Sequence, residues 1–237
     1  LYFDKMPGSY LRKKITRFLM KSSILNTDKL IVNSNYAFEE IKKILNLKKE
    51  KISISYLGLS EFYLNNDDQG NSLEKFKYND NYILSVASCA KYHNLLNLLK
   101  AYKVLRNKYK VNIKFVIVMQ ILDKKYFEEI NKFIIKNELK DFILFFNNIE
   151  TIFLKKIYKN CKLYIFSSYC EVFGLTSLEA MSQGCNILLS NSSALPEINQ
   201  DAADYFDPDN IKDIAKKMYK NLFDENHKSK ILKNAKN

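Results

Sequence analysis

The sequence predicts an α/β protein built on a parallel sheet with helices on both of its faces. Three observations carry this expectation. From residue 82 onward, short apolar runs alternate strictly with longer runs of helical period. The short runs, such as Phe115-Val116-Ile117-Val118 and Ile143-Leu144-Phe145-Phe146, are apolar at successive positions. Such strands need cover on both faces, which is the mark of a parallel sheet. Finally, an apolar strand at Tyr164–Phe166 is followed by Gly174 and then by a helix-like run, Leu175 to Gln183, and a strand that turns into a helix leaves backbone N–H groups free to bind an anion.

Taken in order, Tyr10 to Leu25 places Leu11, Ile15, Phe18, Leu19 and Leu25 among Arg12, Lys13, Lys14, Arg17 and Lys21. This is a basic amphipathic helix, either packed on its own domain with a solvated basic face or laid on an anionic membrane surface. Lys29 to Ser34 reads as a buried strand, Ser34 and Asn35 cap a helix reaching about Leu45, and Lys51 to Ser55 alternates as a second strand ending near Gly58. Leu59 to Asp80 is polar and reads as a linker. Strands are then expected at 82–86, 113–118, 142–146, 163–166, 186–189 and 204–206. Helices are expected near 94–108, 124–138, 150–159 and 175–183, and two more near 209–223 and 226–235 close the chain.

With 237 residues the chain holds one large domain or one and a half ordinary ones, and 47% hydrophobic residues suffice for a real core. The net charge of +12 favours anionic partners. The lysines are scattered, however, and no nucleic-acid motif with interleaved aromatics is present, so a nucleic-acid partner is not expected. The four cysteines form no C-x-x-C pair and read as reduced, mostly buried thiols of a cytosolic protein. The start, Leu1-Tyr2-Phe3-Asp4-Lys5, does not read as a signal peptide, and its lack of an initiating Met suggests a piece of a longer protein. No apolar run approaches the length of a membrane span.

Two carboxylates, Glu171 and Glu179, bracket Gly174. A helix starting near Leu175 carries Glu179 roughly 6 Å along its axis. Glu171 then stands at the loop mouth and Glu179 beneath it, either side of one anion site. Carboxylates repel phosphate, so their natural partners are hydroxyls, such as those of a sugar and a ribose. Asp207-Pro208-Asp209 has a metal-chelating form, but it opens a helix, and Asp209 is expected to cap that helix. His227, among polar residues, is expected to be exposed, and Pro196 and Glu197 are placed to start a helix. No cluster of Asp, Glu, His or Cys near the site has ligand spacing, so no metal is expected.

The segment Cys170 to Glu197 resembles the E-x7-E region of family-4 retaining glycosyltransferases of the GT-B fold. Glu171, Phe173, Gly174, Leu175, Leu178, Glu179, Ala180, Met181 and Gly184 match its usual form, with Val172 where a small residue is usual. Ser190 to Glu197 is similar to the family's S-N-x-S-A-L-P-E loop, and Asp201 to Pro208 to its D-A-A-x-Y-F-D-P stretch. The resemblance runs from about Tyr82 to Asn237.

It implies a GT-B type, Rossmann-like fold with an incomplete N-terminal domain. Residues 1–58 would be the end of the acceptor-side domain, 59–80 the linker and 81–237 the donor-binding domain. It implies transfer, with retention, from a nucleotide-diphosphate sugar to a saccharide or lipid-linked acceptor, as in the synthesis of cell-surface polysaccharide or glycolipid. No cofactor is implied beyond that co-substrate, and the chain alone would be inactive. The implied location is the cytoplasm, with peripheral contact at the inner face of an anionic plasma membrane as the further option. Glu171 would contact the transferred sugar and Glu179 the ribose, while the N–H groups of Phe173, Gly174 and Leu175 face the diphosphate and Ser193 and Glu197 stand in the donor loop. One departure is visible. Where the family carries Arg and Lys to grip the diphosphate, this chain has Ser88 and His93, with Lys91 between them. The fixed charge is lost, which leaves a non-catalytic nucleotide-sugar binding module as the alternative.

Overall fold

The computed structural model describes residues 9–65 and 82–235. The chain start and residues 66–80 of the expected linker lie outside the described residues. The first body comprises helix α1 (Tyr10–Asn26), strand β1 (Leu30–Val32), helix α2 (Asn35–Leu45) and strand β2 (Ile52–Ile54), with β1 and β2 paired in parallel. Its core is small: Val32, Ala37, Phe38 and Ile52. No residue of α1 is buried, and Tyr10, Leu11, Phe18 and Leu19 face outward. Among the described residues, no helix is long and apolar enough to cross a membrane.

The expected linker does not begin as a loop. Ser60 caps a short helix, α3 (Glu61–Leu64), that docks on the second body. Tyr63 is buried in the main core, Lys155 Nζ donates to the carbonyls of Phe62 and Asn65, and Gln183 Nε2 donates to that of Tyr63 at 2.8 Å. These donors satisfy carbonyls that a helix C-terminus leaves unpaired.

The second body is one sheet of six parallel strands: β3 (Tyr82–Val86), β4 (Lys114–Val118), β5 (Ile143–Phe146), β6 (Leu163–Phe166), β7 (Ile187–Ser190) and β8 (Asp204–Phe206), in the order β5-β4-β3-β6-β7-β8. Every residue of β3, β6 and β7 is buried, as two-sided apolar strands require. Between the strands run α4 (Leu95–Tyr109), α5 (Lys124–Lys136), α6 (Thr151–Lys159), α7 (Leu175–Ser182) and α8 (Leu195–Asn199), and α9 (Ile211–Phe223) and α10 (Glu225–Asn234) close the chain. The expected strands and long helices are all present, with ends displaced by a residue or two. Cys89 and Cys185 are buried, and Cys161 and Cys170 are half-buried.

Two expectations near the C-terminus are corrected. Asn210, not Asp209, caps α9, accepting from the Asp213 N–H at 3.0 Å, while Asp209 takes the Tyr169 hydroxyl at 2.5 Å. His227 is not exposed, because its Nε2 lies 2.9 Å from Asp204 Oδ2. Asp204 also accepts from Lys217 Nζ at 2.8 Å, Asn221 Nδ2 at 3.0 Å and the Tyr205 N–H at 2.9 Å. Burial alone would push its carboxyl up, but the bonds from Lys217, Asn221 and Tyr205 outweigh it and hold it below the usual carboxylate range. A depressed folded-state value means that the stability Asp204 contributes is present above its unfolded value of about 3.9 and lost as pH falls through the folded one. We therefore expect Asp204→Asn to destabilise the protein by about 1–3 kcal/mol at pH 7. In chemical denaturation the difference between variant and parent should shrink as the pH is lowered below about 4.

Candidate functional site

The sheet grows from β3 in both directions, so the connections leaving β3 and β6 diverge and open a crevice at their carboxyl ends. A cleft of ≈ 530 Å³ lies there. Its walls are Ala87 and Ser88 after β3, Met119 and Gln120 after β4, Asn148 and Ile149 after β5, and Glu171 to Thr176 after β6. Asn33 and Leu57, which follow the two strands of the first body, face them. No Lys or Arg is among the lining residues.

The floor is set by the turn into α7. Gly174 stands at φ 88°, ψ 49°, and a Cβ there would lie 2.7 Å from Leu195 Cδ2. Conformation and space therefore both require glycine. Its carbonyl accepts from the Ser177 N–H at 3.0 Å and the Ser177 hydroxyl at 2.7 Å, which closes the first turn. No side chain caps the helix, and among the described residues no hydrogen bond occupies the N–H groups of Phe173, Gly174, Leu175 or Thr176. They point into the cleft's end of α7 with the positive end of the helix dipole behind them, an arrangement that suits an anion.

Glu171 is held from three sides. Its backbone N–H donates to Ser193 Oγ at 2.8 Å, its carbonyl accepts from the Ala194 N–H at 3.1 Å, and its Oε1 lies 3.1 Å from His93 Nε2. The other ring nitrogen of His93, Nδ1, lies 2.7 Å from the Ser88 carbonyl and 3.0 Å from Ser88 Oγ. A carbonyl only accepts, so Nδ1 is the donor to Ser88, and Nε2 faces the Glu171 carboxylate. The ring is walled by Tyr92 and Phe166, at 4.1 and 5.5 Å between centroids. Ser88 and His93 therefore hold each other and Glu171, although both reach the cleft surface.

Glu179 lies one turn beyond Leu175 on the same face of α7 and is not part of the cleft wall. Its Oε2 accepts the Tyr158 hydroxyl at 3.0 Å. Burial pushes its carboxyl up, and the bonds from Tyr158 and Tyr63 only partly offset this. Lys91 is exposed and outside the cleft wall; Ser193, half-buried, is also outside it, and its hydroxyl supports the Glu171 backbone. Of the residues singled out from the sequence, the fold thus gathers Ser88, His93, Glu171, Phe173, Gly174 and Leu175 around one cleft. Met119, Gln120, Asn148 and Ile149 were missed. The available signal was their place just after two expected strands.

Comparison with known proteins agrees with this geometry. The family model described as Glycosyl transferases group 1 matches residues 69–237. The chain is 27% identical over 206 residues to the O-antigen chain mannosyltransferase RfbU of Salmonella typhimurium, covering 87% of this chain and 54% of that protein. The chain thus spans about half the length of this curated relative. Among solved structures, a glycosyltransferase from Rickettsia africae superposes with a TM-score of 0.75 at 19% identity, covering 88% of this chain and 57% of that one. HepE of Anabaena in complex with UDP and glucose superposes with a TM-score of 0.73 at 16% identity, also covering 88% and 57%. At such identities the likeness establishes the fold, which is of the GT-B type.

The turn generates a stability prediction. Gly174→Ala combines a positive φ with a clash against Leu195, a fully buried residue. We expect it to destabilise the protein by roughly 1–3 kcal/mol, measurable by urea denaturation. Leu195→Ala made together with it removes the clash but not the φ penalty, so the double variant should lose less than the sum of the two single ones.

Proposed function

Because this chain belongs to the Glycosyl transferases group 1 family, we propose that it is the donor-binding part of a family-4 retaining enzyme. In this reading the enzyme transfers mannose from a nucleoside-diphosphate sugar to a saccharide or lipid-linked acceptor in O-antigen-type polysaccharide synthesis. The sugar follows from the likeness to an O-antigen mannosyltransferase. Residues 81–237 bind the donor, residues 1–58 belong to the acceptor-side domain, and residues 59–80 join them. The enzyme works at the cytoplasmic face of the membrane.

The observation that carries this reading is the pairing, in one cleft, of an unoccupied helix N-terminus with Glu171 beside it. The N–H groups of Phe173, Gly174 and Leu175 face the diphosphate and stabilise the charge it gains as the glycosidic bond breaks. Preorganised donors of this kind are worth about 2.7–4 kcal/mol each in other enzymes. Glu171, fixed by His93, accepts from hydroxyls of the transferred sugar. Glu179 takes the ribose by exchanging the Tyr158 hydroxyl for a ribose hydroxyl. In this reading the positive charge comes from the end of α7, and no metal or other cofactor takes part.

One observation favours a second reading. The cleft wall has no Lys or Arg, and the Ser88–His93 pair turns inward to Glu171. A nucleotide-sugar binding module without turnover would need no stronger grip on the leaving diphosphate.

Three measurements test the proposal, the first two on the full-length protein. Glu171→Gln should leave affinity for the bare nucleoside diphosphate within about twofold and lower turnover of nucleoside-diphosphate mannose, whereas Glu179→Gln should weaken the bare nucleotide too. Loss of one charge-assisted hydrogen bond costs roughly 1.5–3 kcal/mol, or about 10- to 150-fold. Turnover should persist in excess chelator; a loss restored by magnesium or manganese counts against the helix-end mechanism. Residues 1–237 alone should transfer no sugar, because the first body holds only a two-stranded sheet among the described residues. A full-length protein that binds the nucleotide sugar without turnover supports the binding-module reading.

A further inference from the structure

A second carboxylate joins the two bodies away from the cleft floor. Glu197, on α8, accepts the Asn35 N–H on Oε1 at 2.7 Å and the Tyr36 N–H on Oε2 at 2.8 Å. Oε1 also takes the Tyr56 hydroxyl at 2.8 Å and Asn35 Nδ2 at 3.2 Å. Asn35 and Tyr36 open α2, and the first N–H groups of a helix have no acceptor within it. A side chain from the far end of the sheet therefore caps the first body's helix, with its charge at the positive end of the dipole. One residue earlier, the Ser34 hydroxyl accepts from the Ala37 N–H at 3.1 Å and donates to the Val172 carbonyl at 2.6 Å. The Tyr56 ring lies 6.3 Å from that of Phe173.

These contacts share their elements with the cleft. Ser34 and Tyr56 adjoin Asn33 and Leu57, which are the residues the first body gives to the cleft wall. On the other side, Val172 and Phe173 belong to the glycine turn, and α8 begins at Leu195, just after the Ser193 and Ala194 contacts that hold Glu171. Only a carboxylate fits at 197. Both of its oxygens face N–H donors, so an amide would set its own NH2 against one of them. Burial pushes this carboxyl up, but the bonds from Asn35, Tyr36 and Tyr56 outweigh that and hold it below the usual range, so the charge is kept at neutral pH.

We propose that Glu197 is a positioning residue for sugar transfer: it latches the first body across the cleft, so that a bound nucleotide sugar meets the wall formed by Asn33 and Leu57. The proposal rests on the transferase reading above. Nucleotide binding itself stays with the second body, which holds the helix end and Glu179. Loss of the latch therefore separates turnover from nucleotide affinity, which a general loss of folding would not do.

The test uses the full-length protein. Amide hydrogen exchange at Asn35 and Tyr36 needs no ligand, and Glu197→Gln should raise it at least tenfold, with Glu197→Asp falling between variant and parent. With nucleoside-diphosphate mannose, turnover of Glu197→Gln should fall at least tenfold, while affinity for UDP, GDP or ADP, whichever the parent binds, stays within twofold. Tyr56→Phe alters a half-exposed side chain without burying a new group, and should raise exchange at the same amides about threefold even if the Gln variant folds poorly. Parental exchange in both Glu197→Gln and Tyr56→Phe overturns the latch. So does a parallel fall of turnover and nucleotide affinity in Glu197→Gln, which marks a residue needed only for folding. A parent that binds none of the three nucleotides sinks the transferase reading, and the exchange measurement still decides the latch.

Discussion

A chain that leaves a buried parallel strand and must start a helix a few residues later has few backbone paths open to it. At Gly174 it takes one with φ at 88°, pressed against Leu195. The rest of the site depends on that turn. It aims the bare N-terminus of α7 at the crevice between β3 and β6, and it sets Glu171 at the mouth. It also brings the loop against the start of α8, where Ser193 and Ala194 bind the Glu171 backbone. A side chain at 174 would disturb the start of α7, the placement of Glu171 and the packing of two helices together.

Four carboxylates around this framework differ in partner rather than in kind. Asp204 is paired with Lys217 and Glu197 with backbone N–H groups and a tyrosine, and both are held below the usual range because the bonds outweigh the cost of burial. Glu179 is buried against the hydroxyls of Tyr158 and Tyr63, which offer weaker compensation, and its carboxyl is pushed up. Glu171 faces His93. Neutral hydroxyls can be exchanged for those of a ligand more easily than a lysine or a helix end can. Glu179, with its hydroxyl neighbours, lies one turn behind the cleft, Glu171 lines the cleft beside His93, and the two with fixed charged or dipolar partners hold elements together.

Much of the second body was legible because its signals are local. Two-sided apolar runs marked the strands, and the glycine between a strand and a helix marked the turn into α7. Ser34 as the cap of α2 could also be read, since it precedes its own helix by one residue. Local reading failed where the deciding partner is remote. Leu59 to Leu64 looked like part of a polar linker, yet Tyr63 enters the main core and Lys155 and Gln183 tie down the carbonyls around it. His227 sits in a polar stretch, yet it reaches Asp204. At the start of α9 Tyr169 engages Asp209, and the neighbouring Asn210 takes the cap.

By itself the sequence determined the element types, their order, and the chemistry offered at the glycine turn, because strand alternation, helical period and a positive-φ glycine each act within a few residues. The tertiary structure alone decided which of those chemical groups meet. The strand order β5-β4-β3-β6-β7-β8 makes neighbours of β3 and β6, which the chain separates by two strands and three helices. That adjacency makes His93 the partner of Glu171, and across the two bodies Glu197 caps a helix formed 162 residues earlier. A hydrogen bond acts over about 3 Å, so its partner is set by the packing of the sheet and not by distance along the chain.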